Sequence, residues 1–136
     1  MPLRDVDWLN FAYQKVKLVV RPDRAAIAHY KLGEHFSKKA QWSKAIEHYE
    51  KAKKHDFPNL VRLHCRLAQA MREKGQLKQA EESFRQAIAI DSHALYPYLY
   101  LGSLLNDQKK WALAVEMFEK ARDTEPANFW PYYHLG

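Results

Sequence analysis

The sequence predicts an all-α solenoid of stacked antiparallel helix pairs, and three observations carry that prediction. First, residues 96–102 read Tyr-Pro-Tyr-Leu-Tyr-Leu-Gly, and 34 residues later residues 130–136 read Trp-Pro-Tyr-Tyr-His-Leu-Gly, so an aromatic, Pro, Tyr, Leu and Gly return at the same offsets. A period in the thirties is the mark of a helical repeat array. Second, small residues recur in the same register: Ala45 and Ala52, Ala80 and Ala87, Ala114 and Ala121. Third, all four glycines obey one frame, with Gly33, Gly102 and Gly136 at one repeat position and Gly75 at the turn between two helices.

The first element is a helix within residues 1–22, where Trp8, Phe11, Ala12, Val16 and Val19 stand at helical spacing over 4–20. It does not follow the repeat. It reads either as a capping helix over the first repeat or as a degenerate second helix of an upstream one. The Arg21-Pro22-Asp23 turn separates it from an array over residues 23–136. With Ala26 as position 1, His29, Leu32, Gly33 and Phe36 lie in a first helix, and Ala45, Tyr49 and Ala52 in a second. Val61 starts the next unit, with His64, Leu67 and Ala68 followed by Ala80, Phe84 and Ala87. Leu95 starts the third, with Tyr98, Leu101 and Gly102 followed by Ala114, Phe118, Ala121 and Pro126. The units span about 26–59, 61–94 and 95–128, with a partial fourth over 129–136.

Packing explains the register. Small side chains let paired helices approach closely while Leu and Phe/Tyr fill the space beside them. One pair is too small to bury its own apolar face, so its neighbours complete the core. Pro97 and Pro131 sit in first helical turns, where the missing amide donor costs little, and Asp23, Ser92 and Asn128 stand where N-caps are expected.

These residues resemble the tetratricopeptide repeat family: an aromatic at position 4, Leu at 7, Gly or Ala at 8, Ala at 20, Phe or Tyr at 24, Ala at 27 and Pro at 32. The resemblance covers residues 24–136 and implies a right-handed superhelix. Its departures are His29 and His64 at position 4, Met71 and Leu105 at 11, and Phe57 and Ser92 at 32.

Composition narrows the class. The chain has 136 residues, 47% of them hydrophobic, enough for a folded core. Its longest mostly apolar stretch, 94–105, is interrupted by Pro97 and Gly102 and is too short to cross a bilayer. Asp5 and Asp7 stand where a secretory signal needs an apolar run, and Cys65 has no partner for a disulfide, so a cytoplasmic protein is expected. Net charge is +6 and unevenly placed: 16 Lys/Arg against 8 Asp/Glu up to Gly75, then 6 against 8. The basic half either steers an acidic partner or, with Lys38, Lys39, Lys51, Lys53 and Lys54, solvates helix faces.

The sequence holds no catalytic signature, metal-ligand motif or phosphate loop. Cys65 and His64 are adjacent on a helix and point about 100° apart, so they form no nucleophile–base pair. No cofactor is expected. What remains is the groove. The resemblance implies that first helices line it, through Tyr30, Lys31, Glu34 and Lys38, then Arg62, Arg66, Gln69 and Arg72, then Tyr96, Tyr100 and Asn106, with Trp130 and Tyr133 from the partial fourth unit. Arginine offers bidentate bonding to carboxylate or phosphate, and tyrosine gives broad contact at low entropy cost. The expected function is a non-enzymatic scaffold binding a protein or peptide segment, with an acidic one matching the arginine row. The bland alternative is a generic polar groove.

A chaperone-tail clamp is set aside, because the family's Lys and Asn at positions 5 and 9 are Tyr30 and Glu34 here. Nucleic acid is disfavoured, since groove positions change type from repeat to repeat. A second reading makes this the repeat region of a larger bacterial enzyme of glycosyltransferase or methyltransferase type. Residues 129–136, with Phe129, Trp130, Tyr132, Tyr133 and Leu135, are expected either to fray or to pair two chains.

Overall fold

A computed structural model describes residues 24–124. The expected helix over 4–20, the caps Asp23 and Asn128, and residues 125–136 lie outside them. Six helices follow in chain order: α1 (Arg24–Lys38), α2 (Trp42–Lys54), α3 (Leu60–Lys74), α4 (Leu77–Ile90), α5 (Leu95–Asp107) and α6 (Trp111–Thr124). Among the described residues there is no strand. Helices pair as α1 with α2, α3 with α4 and α5 with α6, and the pairs stack through α2 on α3, α4 on α5 and α3 on α5. The expected all-α solenoid is therefore the observed architecture.

The turn inside each pair repeats almost to the atom. Ala40, Gly75 and Lys109 take the left-handed conformation, with φ of 57°, 95° and 63°. In each, the next residue donates its amide to a carbonyl five positions back: Gln41 to Phe36, Gln76 to Met71 and Lys110 to Leu105, at 2.8–2.9 Å. This is the helix-ending motif that glycine usually serves. Only Gly75 adopts it without a Cβ penalty, so Ala40 and Lys109 are held there by their flanking helices.

The small positions set the distance within a pair. Ala26, Ala45, Ala52, Ala68, Ala80, Ala87 and Ala121 are fully buried, and so are Tyr49 and Phe84, or nearly so. Gly33 lies against the Tyr49 ring so tightly that a Cβ there would stand 2.5 Å from Cε1. Gly102 repeats the arrangement against Phe118, at 2.7 Å. Leu67 and Leu101 are buried between successive pairs at 1% and 0% exposure, whereas Leu32, in a pair with none before it among the described residues, is 40% exposed. The same position thus buries or not according to whether a preceding pair covers it.

Capping departs from expectation at Ser92. Helix α5 starts from Ala94 without a side-chain cap, while the Ser92 carbonyl accepts a 2.9 Å bond from the Tyr98 hydroxyl. The side-chain cap is instead Asn59, whose Oδ1 accepts from the Arg62 amide at 3.0 Å. His64 fills an aromatic packing position of α3, is 7% exposed, and leaves its Nδ1 without a partner. Burial, with a further push from Lys53, holds its pKa below the ordinary 6.5.

Two outcomes are expected. Gly33→Ala should destabilise by about 1–3 kcal/mol through overpacking, offset in part by about 1 kcal/mol of helix propensity. Gly102→Ala should be close to neutral, because Phe118 is 37% exposed and has room to turn. Thermal melts giving the two variants equal losses would contradict this. For His64, the unfolded chain takes up a proton at higher pH than the folded one. Its stabilising share is therefore complete above the ordinary 6.5 and is lost as pH falls through 6.5 towards the lower folded value. Denaturant melts between about pH 7 and pH 5 should show a shallower decline for His64→Phe than for the parent.

Candidate functional site: a groove between the first helices

Two hollows lie side by side along α3. The first, of about 310 Å³, is walled by Glu34, Ser37 and Lys38 of α1, Trp42 and Tyr49 of α2, and Arg66, Gln69 and Glu73 of α3. The second, of about 460 Å³, lies between α3 and α5, with Arg62, Cys65, Arg66 and Gln69 facing Tyr96, Pro97 and Tyr100, and Asn59 at its edge. Arg66 and Gln69 belong to both, which makes the hollows one groove.

The groove's chemistry divides at Arg66. The first hollow mixes charges, with Glu34 and Glu73 against Lys38 and Arg66. The second has two guanidinium groups and no carboxylate in its walls. Its aromatic side is a short stack: Phe84 on Tyr100 at 5.8 Å between centroids, and Tyr100 on Tyr96 at 6.1 Å. Tyr96 is 62% exposed, an open face for a ligand. A side-chain hydrogen bond with Tyr30 is the largest influence on Arg66 and raises its pKa, outweighing the opposing effect of burial. Arg66 is a cation at the centre of the groove, shared by both hollows. Arg62 is exposed, and its side chain has no ion pair among the described residues.

Tyr30 and Arg72 need correction as groove contacts. Tyr30 is only 6% exposed. Its ring stacks on Phe57 at 4.4 Å and tilts against Tyr49 at 5.7 Å, so it supports the wall and steadies Arg66 from behind. Arg72 is occupied within the protein: it pairs with Asp107 and donates to Ser103 Oγ at 3.3 Å, clipping α3 to α5. Its charge is neutralised there and does not contribute to the second hollow. Lys31 and Asn106 are exposed but line neither hollow. Trp130 and Tyr133 lie outside the described residues.

Several wall residues escaped the positional reading, among them Trp42, Tyr49, Asn59, Val61 and Pro97. Trp42 and Tyr49 belong to a second helix, which the family pattern assigns to packing. Their usable signal is that Trp42 opens α2 directly after the left-handed turn at Ala40, at the end nearest α1.

Cys65, in the wall of the second hollow, is not an activated thiol. Cys65 is 5% exposed, and burial pushes its thiol pKa up to about 11, far from a reactive thiolate. Among the described residues no three His, Cys, Asp or Glu side chains gather as a metal set, and no helix is long and apolar enough to cross a membrane.

Helix pairs stacked at a 34–35-residue step, with a groove along their first helices, define an α-solenoid repeat protein. Family models of the tetratricopeptide repeat match residues 28–61 and 61–94. The chain belongs to the tetratricopeptide repeat family. Among solved structures it is similar to the Arabidopsis OM64 TPR domain, with 28% identity and a TM-score of 0.69 over 77% of this chain and 86% of that one. It is also similar to the second TPR of Spaghetti (RPAP3), bound to the HSP90 peptide SRMEEVD, with 26% identity and a TM-score of 0.67 over 76% and 89% of the two chains. MamA of Desulfovibrio magneticus RS-1 shares the fold, with 23% identity and a TM-score of 0.68 over 90% of this chain and 68% of that one. No curated protein matches the chain.

Proposed function

We propose that the protein is a non-enzymatic interaction module that binds a segment of a partner protein along the groove. An acidic side chain of the segment lies against Arg62 and Arg66, and an apolar one lies on Tyr96 and Tyr100. The observation that carries this reading is the second hollow, with two cations, two stacked tyrosines and no carboxylate in its walls. A similar domain, the second TPR of Spaghetti, is bound to a peptide containing consecutive glutamates, which supports a peptide-sized ligand of this charge. The anchoring differs from a tail clamp at the start of the array. There, Glu34 opposes a carboxylate, so the acidic contact is displaced towards α5.

The two arginines are unequal partners. An exposed ion pair contributes about 0.2–1 kcal/mol, so Arg62 mainly steers the encounter. Arg66 is exposed too, but it belongs to the walls of both hollows, so a bound segment meets it along more of its length. The cytoplasmic setting expected from the sequence belongs to the same proposal.

The test uses a peptide selected from a random library on the purified chain and titrated by calorimetry. The selected sequences should carry Asp or Glu beside an aromatic or large aliphatic residue. Arg66→Ala should weaken binding by about tenfold or more, and Arg62→Ala by less, with the loss larger at low salt than at high salt. Selection of basic peptides, or affinity unchanged by the Arg62→Ala/Arg66→Ala pair, would overturn the reading.

A further inference from the structure

The seam between α1 and α2, away from the groove residues, holds a cluster the binding function does not use. His29 of α1 and His48 of α2 bring their Nδ1 atoms within 3.1 Å. The two rings lie near-parallel, 5.3 Å between centroids and 25° between planes, and each has a second neighbour: Phe36 stacks on His48 at 5.3 Å and 17°, and His55 stacks on His29 at 5.8 Å and 18°. Both histidines are half-buried, so the pair is held by its neighbours and still reachable from water. We propose that His29 and His48 form an open two-histidine site for a divalent late transition metal, with Cu2+ preferred, that staples α1 to α2.

The distance suits that role. Two imidazole nitrogens bonded at about 2.0–2.1 Å stand about 2.9 Å apart at adjacent corners of a tetragonal ion such as Cu2+, and about 3.3 Å apart on a tetrahedral one. The observed 3.1 Å lies between the two, so the nitrogens need to shift by only a few tenths of an ångström, with the rings turning so that both lone pairs meet the ion. In the metal-free pair one Nδ1 donates to the other. On binding, that proton leaves Nδ1 and one is taken up at Nε2 of the same ring, so a neutral pair releases no net proton. The nearest carboxylate on α2, Glu47, is paired with Lys51 at 3.2 Å. Among the described residues no third ligand joins the set. Water completes the coordination, and the site is open. Imidazole suits copper and zinc, and the general affinity order places Cu2+ above Zn2+.

The test is a Cu2+ titration of the full chain without an affinity tag, followed by electron paramagnetic resonance, calorimetry and thermal melting. One Cu2+ per chain should bind with nitrogen splitting from two equivalent ligands, bind more tightly than Zn2+, and raise the melting temperature. His29→Gln and His48→Gln should each weaken binding by about tenfold or more and remove the two-nitrogen signature. His35→Gln and His93→Gln should leave both intact. Circular dichroism of each variant establishes that helix content is retained. Absence of Cu2+ binding by the parent would overturn the proposal, leaving the 3.1 Å contact as a hydrogen bond only. So would binding that survives both substitutions.

Discussion

Everything in this molecule depends on how closely the two helices of a pair can approach, and one contact sets that approach. An aromatic ring from the second helix presses on a position of the first helix that holds only Gly or Ala. Gly33 meets the buried ring of Tyr49 in this way, and Gly102 meets Phe118, whose half-exposed ring has room to yield. Ala68 takes the position in the middle pair, where Phe84 is fully buried. Interiors packed to crystal-like density do not absorb an extra carbon freely. The contact therefore fixes the spacing of the helices, and with it the line along which the next pair stacks.

The groove follows from that stacking. Because α3 and α5 touch directly, side chains one period apart meet across the gap between pairs. Arg72 meets Ser103 and Asp107, 31 and 35 residues on, and becomes a structural clip. One to three turns earlier on the same helix, Arg66 and Arg62 face Tyr96 and Tyr100 and no carboxylate. The same residue type thus serves the architecture at one end of α3 and lines an open hollow at the other. The partners across the gap make the difference.

Helix order, pairing and the small buried positions were legible because periodicity reports which face of a helix turns inward. The identity of the partner on that face was not. Nothing local distinguishes Arg72 from Arg62, since the distinguishing residue, Asp107, lies 35 positions away. Tyr30 reads as a groove residue by position, yet its ring is taken up by Phe57, which stands where the family has proline. The repeated left-handed turn was visible only at Gly75, because Ala40 and Lys109 carry no mark of a positive φ. Ser92, expected as a cap, is not one, since a capping side chain must sit next to the first amides and Ser92 stands two residues before Ala94, the cap position, whereas Asn59 directly precedes α3 and caps it.

The central claim is that the ligand lies on the first helices, against the cation–aromatic hollow, with the second helices left for packing. Intermolecular nuclear Overhauser effects between a library-selected peptide and the chain test it most directly. The account predicts contacts to Tyr96, Tyr100 and the methylenes of Arg66. Contacts confined to outward-facing residues of α4 and α6, such as Arg85, Ile90 or Val115, would contradict it.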